Sequence, residues 1–447
     1  MGEFAENIEL PVAYIKTLAL ENVRSFKGEN EIFLSDKEEK TAQWTVILGN
    51  NNTGKTTVLK CIADLYLRTT KMSNVNWSHG LMPTDEDFYT INPIINNGID
   101  LIFHQKGSYS VELMTLGVFP PIVIQEGTGA NFTNSKICGL IKEGGKFTAT
   151  LGHPHLRKIF LQGYSTLRKT SESSLSEQEN TETVQSFFSN NFELINVEEW
   201  LLQINYASKN DNSPKSDRER AKSIEERVRE VITSEILPDI QDFRFRSTQD
   251  FKNYIEFQTD YGWVRLKDLG YGYQATLAWV MDLAKRMFDR YPNSTNPLAE
   301  PAVVLVDEID LHLHPEWQRK IISYVSNIFR NTQFIVTAHS PLVVQSAENV
   351  NLVMLEKDGN HINIRQQFGS FKGWTVDEIL TELMGMDDKT MSDTYLDLIN
   401  QFDEALDEDN YEKAHLAYEG LDKILHPSSP QRKILRIQMS SLAPIEA

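Results

Sequence analysis

The chain has 447 residues, 40% hydrophobic and 10% aromatic, and carries a formal net charge of -19. That length supplies two or three structural units with a large core. The acidic surface as a whole repels nucleic acid and anionic membranes, so DNA contact would need a local basic patch or a partner. Only Cys61 and Cys138 are present, which excludes a disulfide framework or a cysteine-rich zinc site and points to a reducing compartment. The acidic opening Met-Gly-Glu-Phe-Ala-Glu predicts no signal peptide, and no run approaches the roughly 18 apolar residues of a membrane span. The expected location is the cytoplasm.

Ala13 to Leu20 reads as a strand that leads through Gly28 to a second, Glu31 to Leu34, as a hairpin. Arg24 in the connection is a candidate nucleotide contact, and equally a solvent-facing arginine. Trp44 to Leu48 is an apolar strand, and Thr56 to Leu67 carries Val58, Leu59, Ile62 and Leu65 at helical spacing, with Cys61 a small core residue. Between them stands Gly49-Asn50-Asn51-Asn52-Thr53-Gly54-Lys55-Thr56-Thr57. Strand, Gly-rich loop and helix form the context of a phosphate-binding loop. The glycines let successive N–H groups converge on one anion at a helix N-terminus. Lys55 then reaches the β- and γ-phosphates, Thr56 offers its hydroxyl to Mg²⁺, and Thr57 touches the α-phosphate.

From Asn97 through Asp100–His104 and Tyr109–Leu113 to Pro121–Ile124, short apolar runs split by Gly, Asn and Pro predict an antiparallel meander. His104 lacks a Cys or His at metal spacing and reads as an ordinary strand residue. Lys158 to Tyr164 is another strand. Ser171 to Asn180 is polar, Phe187 to Tyr206 is aromatic and helix-compatible, Lys209 to Ser216 is a loop, and Arg218 to Ile232 is a charged helix. Its cations alternate with glutamates, which favours a solvated face over a DNA-binding stripe. Phe243–Arg246 and Tyr254–Gln258 alternate like strands. Arg244 and Arg246 share a face there, the best local candidate for phosphate contact.

Leu269-Gly270-Tyr271-Gly272-Tyr273-Gln274 opens a helix through Leu277, Val280, Leu283 and Met287. Ala302 to Val306 is a continuous apolar strand ending in Asp307 and Glu308, and the C-terminal ends of such buried parallel strands are where ligands bind. Asp307 is placed to hold the Mg²⁺ hydration shell, and Glu308 to orient and polarise an attacking water. Phe334 to Ala338 delivers His339 to the same edge, within reach of a γ-phosphate. His312 and His314, two apart, lack a third zinc ligand in sequence.

These motifs resemble the ABC-type ATPases that include the SMC-like and DNA-repair heads and the OLD proteins. Gly49–Thr57 stands as Walker A, Gln162 as the Q-loop, Leu269–Gln274 as the signature, Val303–Glu308 as Walker B, and Thr337–Pro341 as the switch-histidine segment. The resemblance covers about residues 13 to 357. It implies an α/β fold: an ABC-ATPase head with a mixed sheet around the P-loop, an antiparallel β subdomain, a helical insertion over 165–240 and an α-helical C-terminal region over 368–447. It further implies ATP and Mg²⁺ as cofactors, Gln162 as a catalytic and metal-ligating residue, and a homodimer in which Gly270 and Gly272 face the other subunit's nucleotide. Gly270 stands where the family usually has Ser, which removes a hydroxyl and puts fast hydrolysis in doubt. The insertion is too short and heptad-poor for a long coiled coil.

Val376–Met384, Thr390–Leu406, Tyr411–Leu425 and Gln431–Leu442 predict helices. Leu396, Ile399, Phe402 and Leu406 form one stripe, and Leu416, Leu421, Ile424 and Leu425 contribute to another. The last pair resembles a tetratricopeptide-like hairpin that could cover a partner. No Toprim strand pattern and no His-Asn-His cluster follow the head, so no nuclease site is expected in this chain. The Tyr164–Arg168 stretch, Glu198-Glu199-Trp200-Leu201 and the helical tail from Trp374 resemble the PtuA family, ATPase subunits of Septu anti-phage systems that act with a separate HNH nuclease, PtuB. The alternatives are a repair-type ATPase that clamps DNA directly, the ATPase subunit of a transporter, and a slow or non-hydrolysing structural subunit.

Overall fold

The computed structural model describes residues 13–35, 41–73, 108–115, 122–127, 138–143, 146–150, 159–171, 182–234, 236–237, 239–345, 347–386 and 391–442. The acidic N-terminal stretch, the strand expected at Asp100–His104 and most of the polar Ser171–Asn180 run lie outside them. Two compact units result, Met1–Trp374 and Thr375–Ala447.

The first unit opens with β1 (Ala13–Val23) and β2 (Phe26–Phe33), antiparallel. The turn is tighter than the sequence suggested. Arg24 takes φ +51° and closes it at once, so Gly28 falls inside β2 instead of in the connection. Next come β3 (Trp44–Gly49) and α1 (Lys55–Ser73), then β4 (Ser108–Thr115), β5 (Ile122–Gly127), β6 (Cys138–Glu143) and β7 (Lys146–Thr150). These join β1 and β2 in an antiparallel sheet of order β2-β1-β4-β5-β6-β7. The meander thus extends one hairpin beyond Ile124, for which Gly144-Gly145 was the available turn signal.

The second sheet positions the site. It contains β3, β8 (Leu161–Tyr164), β12 (Ala302–Val306), β13 (Thr332–Thr337), β14 (Val350–Asp358) and β15 (His361–Gly369), in the order β15-β14-β3-β13-β12-β8. All neighbours run parallel except the β14–β15 hairpin. Its central strands are buried throughout, as expected for apolar runs covered on both faces. Trp44 and Phe334 stack at 4.3 Å between centroids, a pair that contributes about 0.5–1.5 kcal/mol beyond area burial. Val58, Leu59 and Ile62 of α1 enter the core with Ile15, Leu18 and Phe26 of the first sheet. Gln333 staples the two sheets at the irregularity in β1: its Oε1 accepts from Ile15 N at 2.9 Å and its Nε2 donates to Ile15 O at 2.7 Å.

Between β8 and β12 lie α2 (Val197–Lys209), α3 (Lys215–Ile232), the sheet β9 (Asp242–Ser247), β10 (Asn253–Thr259), β11 (Gly262–Arg265), and α4 (Tyr271–Arg290). On α3, Ala221, Val228, Val231 and Ile232 are buried while its charges pair locally, Arg227 with Glu230 at 3.2 Å and Lys215 with Glu219 at 3.6 Å. The charge run is a solvated face. Arg244 is engaged by Glu256 at 2.7 Å and lies 4.0 Å over the Trp263 ring, so it is not a free phosphate ligand. Completing the first unit are α5 (Pro315–Ile328) after β12 and α6 (Pro341–Gln345) after β13.

The second unit holds a short helical segment at 376–383, then α7 (Asp393–Asp407), α8 (Tyr411–Ile424) and α9 (Pro430–Ser441) around Phe402, Ala405, Ala414, Ala417, Leu421 and Leu435. The second expected stripe holds at Leu421, which is fully buried, and at Leu425, which packs against the same core, but not at Leu416 and Ile424, which are 73% and 47% exposed. Small residues complete the contact: an added Cβ at Gly420 would stand 2.8 Å from Leu398.

Candidate nucleotide site

The loop between β3 and α1 curls tightly on its own backbone. Asn52 takes φ +65° and Gly54 φ +96°. A Cβ at Gly54 would also stand 2.8 Å from the Phe26 ring, so only glycine fits. Thr53 Oγ1 donates to Asn50 O at 2.9 Å. Lys55 folds back so that Nζ donates to Gly49 O at 2.6 Å and Asn50 O at 3.0 Å, with Asn51 at the tip of the same turn. Burial pushes the Lys55 amine below its ordinary value, opposed by Glu308, Asp307 and Asp310. α1 has no acid in its first turn, which leaves its N-terminal N–H groups and partial positive charge for an anion.

The acids of β12 meet this loop across β13. Thr56 Oγ1 donates to Asp307 at 2.9 Å, and Thr337 Oγ1 at the end of β13 donates to the same carboxylate at 2.6 Å. Thr337 also accepts from Glu308 N at 2.7 Å. Asp307 is buried, whereas Glu308 turns into the left-handed region at φ +49°, a conformation costing about 1–2 kcal/mol. Its carboxylate stands 3.6 Å from His339 Nε2. Asp310 fixes the switch segment by accepting from His339 N at 3.1 Å and Ser340 N at 2.8 Å. Arg24 sits at the loop's rim, with Nη1 3.3 Å from Thr57 Oγ1.

Gln162 is not brought to this edge. It lies in β8 opposite Val304, three residues short of Asp307, or roughly 10 Å back along the strand. Its Oε1 accepts from Thr183 Oγ1 at 2.7 Å inside the core. Position in the strand, not residue type, removes it from the catalytic and metal roles. Gly270 caps α4 without a side-chain bond, and Gly272 abuts the His312 carbonyl, where a Cβ would stand 2.4 Å from the oxygen. Tyr271 packs edge-on to His312 at 4.7 Å and Tyr273 to Trp317 at 4.2 Å. His314 caps α5. Neither histidine joins a metal cluster among the described residues.

Sequence reasoning passed over Thr337 as a ligand-orienting hydroxyl and Arg168, whose buried guanidinium Nη2 donates to Asp307 O at 2.6 Å and Glu308 O at 2.8 Å. An arginine four residues past a buried strand was the visible signal for the second. One carboxylate, one hydroxyl and open positions suit Mg²⁺, which takes few protein ligands and fills its shell with water and phosphate oxygens.

Residues 146–345, which hold Arg168, the α4 N-terminus and both acids but not the phosphate loop, match the family model described as "AAA domain, putative AbiEii toxin, Type IV TA system". The chain is 38% identical over 204 residues to the Septu protein PtuA of Bacillus thuringiensis, covering 44% of this chain and 51% of that one. To the Septu protein PtuA of Bacillus mycoides (strain KBAB4) it is 28% identical over 372 residues, covering 82% and 44%. An SMC head bound to the C-winged helix domain of ScpA overlaps 79% of this chain and 98% of its own at 16% identity and a TM-score of 0.46. The chain spans about half the length of the curated relatives it matches. Among the described residues no helix is long and apolar enough to cross a membrane. Loop, acids and matches together support an ABC-type ATPase domain in the first unit, related to that of the Septu protein PtuA.

Proposed function

We propose that the chain binds and hydrolyses Mg²⁺-ATP as a cytoplasmic homodimer and that the nucleotide state controls a partner HNH nuclease in anti-phage defence. One observation carries the chemistry: Thr56 and Thr337 converge on the Asp307 carboxylate while Glu308 and His339 stand beside it at the strand edge. In this reading the phosphates displace the loop carbonyls from Lys55 and lie on the N–H groups of the loop and α1. Thr56 and Asp307 would hold Mg²⁺, which when bound would offset the charge of the phosphate oxygens. Glu308 accepts a proton from the attacking water, and His339 contacts the γ-phosphate. Gly270 and Gly272 offer backbone N–H groups to the nucleotide of the second subunit. Without a hydroxyl at Gly270 the turnover is slow.

The nuclease partner is supported by the PtuA resemblance and by the apolar side chains Leu416, Ile434 and Ile437, which stand exposed on the helices of the second unit. On this reading 1–357 is the ATPase domain and 368–447 the partner-binding region. The test pairs two measurements. Glu308→Gln should keep ATP binding, accumulate as a nucleotide-dependent dimer and lose turnover by roughly 10²–10⁴-fold. Equal phosphate release from the wild type and this variant refutes the hydrolytic reading. Affinity capture from the native host should retrieve a small HNH protein, and recovery of DNA alone selects the DNA-clamping alternative.

A further inference from the structure

Arg168 is 5% exposed, yet among the described residues no carboxylate lies within ion-pair distance of it, and its Nε is buried with no hydrogen-bond partner. Burial pushes its guanidinium down to about 10, opposed by Asp307, Asp310 and Glu308. A buried cation without a paired carboxylate is expensive. Among the described residues its hydrogen bonds run from one nitrogen, Nη2, to two consecutive main-chain oxygens, those of Asp307 and Glu308. These are the two residues between which the chain leaves the extended strand for the left-handed region, at φ +49° on Glu308. From the opposite side the same elbow is held by Glu308 N donating to Thr337 Oγ1 and Ile309 N to Thr337 O at 2.9 Å. The segment bearing Arg168 is anchored too. Tyr164 O accepts from Asp307 N, Leu194 N donates to Lys169 O, and Ser171 N donates to Leu194 O.

We propose that Arg168 is a positioning residue for ATP hydrolysis: by gripping both carbonyls it fixes the Asp307–Glu308 elbow, and so aims the Glu308 carboxylate at the water beside the γ-phosphate while Asp307 stays turned toward Thr56. The inference rests on the ATPase reading above. Arg168 does not touch nucleotide in it; it acts through the backbone of the two acids. A lysine carries its donors on a flexible stem and holds water more strongly, so it restores the bonds to the two carbonyls only in part.

The test uses the full chain with Arg168→Ala and Arg168→Lys, measuring phosphate release at saturating ATP, affinity for a fluorescent ATP analogue, and thermal melting. Positioning predicts that the alanine variant loses kcat by roughly a hundredfold, the cost of a misplacement of about 1 Å. KM and analogue affinity should stay within about threefold, the lysine variant should recover only part of kcat, and added guanidinium ion should raise the alanine variant's rate. Two results overturn the proposal: wild-type kcat in both variants, or losses of kcat and binding in step with the folded fraction in the lysine variant. If the alanine variant does not fold, the lysine variant decides by its kcat against KM. A wild-type chain that releases no phosphate removes the ATPase reading itself, a result distinct from either.

Discussion

At the scale of single residues, the site separates groups proposed to touch nucleotide from groups that hold them in place. Lys55, Thr56, Asp307, Glu308 and His339 were legible because their chemistry is tied to short motifs: a lysine after a glycine, acids at a strand end. Thr337 was not, because a threonine closing a buried strand has nothing in its local pattern to say that its hydroxyl donates to Asp307 and accepts from Glu308 N. Outer ligands of this kind orient a metal-binding carboxylate and fix its basicity. Thr337→Val keeps the shape and removes both bonds, so Mg²⁺-dependent ATP affinity should fall about 10- to 100-fold with little change without the metal. A magnesium titration of nucleotide binding checks this, and an unchanged titration would leave Thr337 a filler of space.

At the scale of elements, strand position decided what residue type could not. Gln162 has the side chain the family resemblance asks for, but β8 ends two residues later and Thr183 takes its amide oxygen, so the expected role fails on register. The opposite case is Asp282, a lone acid in the apolar run Val280-Met281-Asp282-Leu283 of α4. It is fully buried, accepting from Tyr164 Oη at 3.0 Å, Arg286 Nε at 2.8 Å and Ile195 N at 3.2 Å, and thereby ties β8, α4 and the approach to α2 together. Its charge and Arg286 compensate each other, and the phenol of Tyr164 is held well above its ordinary value by burial and by this carboxylate. Asp282→Asn removes the buried carboxylate paired with Arg286 at 2.8 Å while Glu182 still acts on that guanidinium, so urea denaturation should report a loss of about 3 kcal/mol, the low end for breaking a buried pair. A loss below about 1 kcal/mol would mean that water replaces the pair.

At the scale of the whole molecule, the sequence distinguished the nucleotide-binding portion from the helical tail because their periodicities differ, two and continuous against three to four. It misjudged which tail residues pack, since alanines and a glycine carry little hydrophobic signal, yet Ala414, Ala417 and Gly420 form the close helix contact while Leu416 faces outward. Among the described residues the core of α7–α9 has six buried members, and so a small stability reserve, of a few kcal/mol for a unit of this size. Phe402 is the largest of the six and completely buried. Truncating a buried phenylalanine to alanine costs about 3–5 kcal/mol, comparable to that whole reserve. Phe402→Ala should therefore unfold the C-terminal unit at ordinary temperature while the Met1–Trp374 unit keeps its melting transition and its ATP affinity. Calorimetry should show the loss of one transition, limited proteolysis should trim the chain near Thr375, and capture of the partner should fail. A single shifted transition for the entire chain would show instead that the two units melt together.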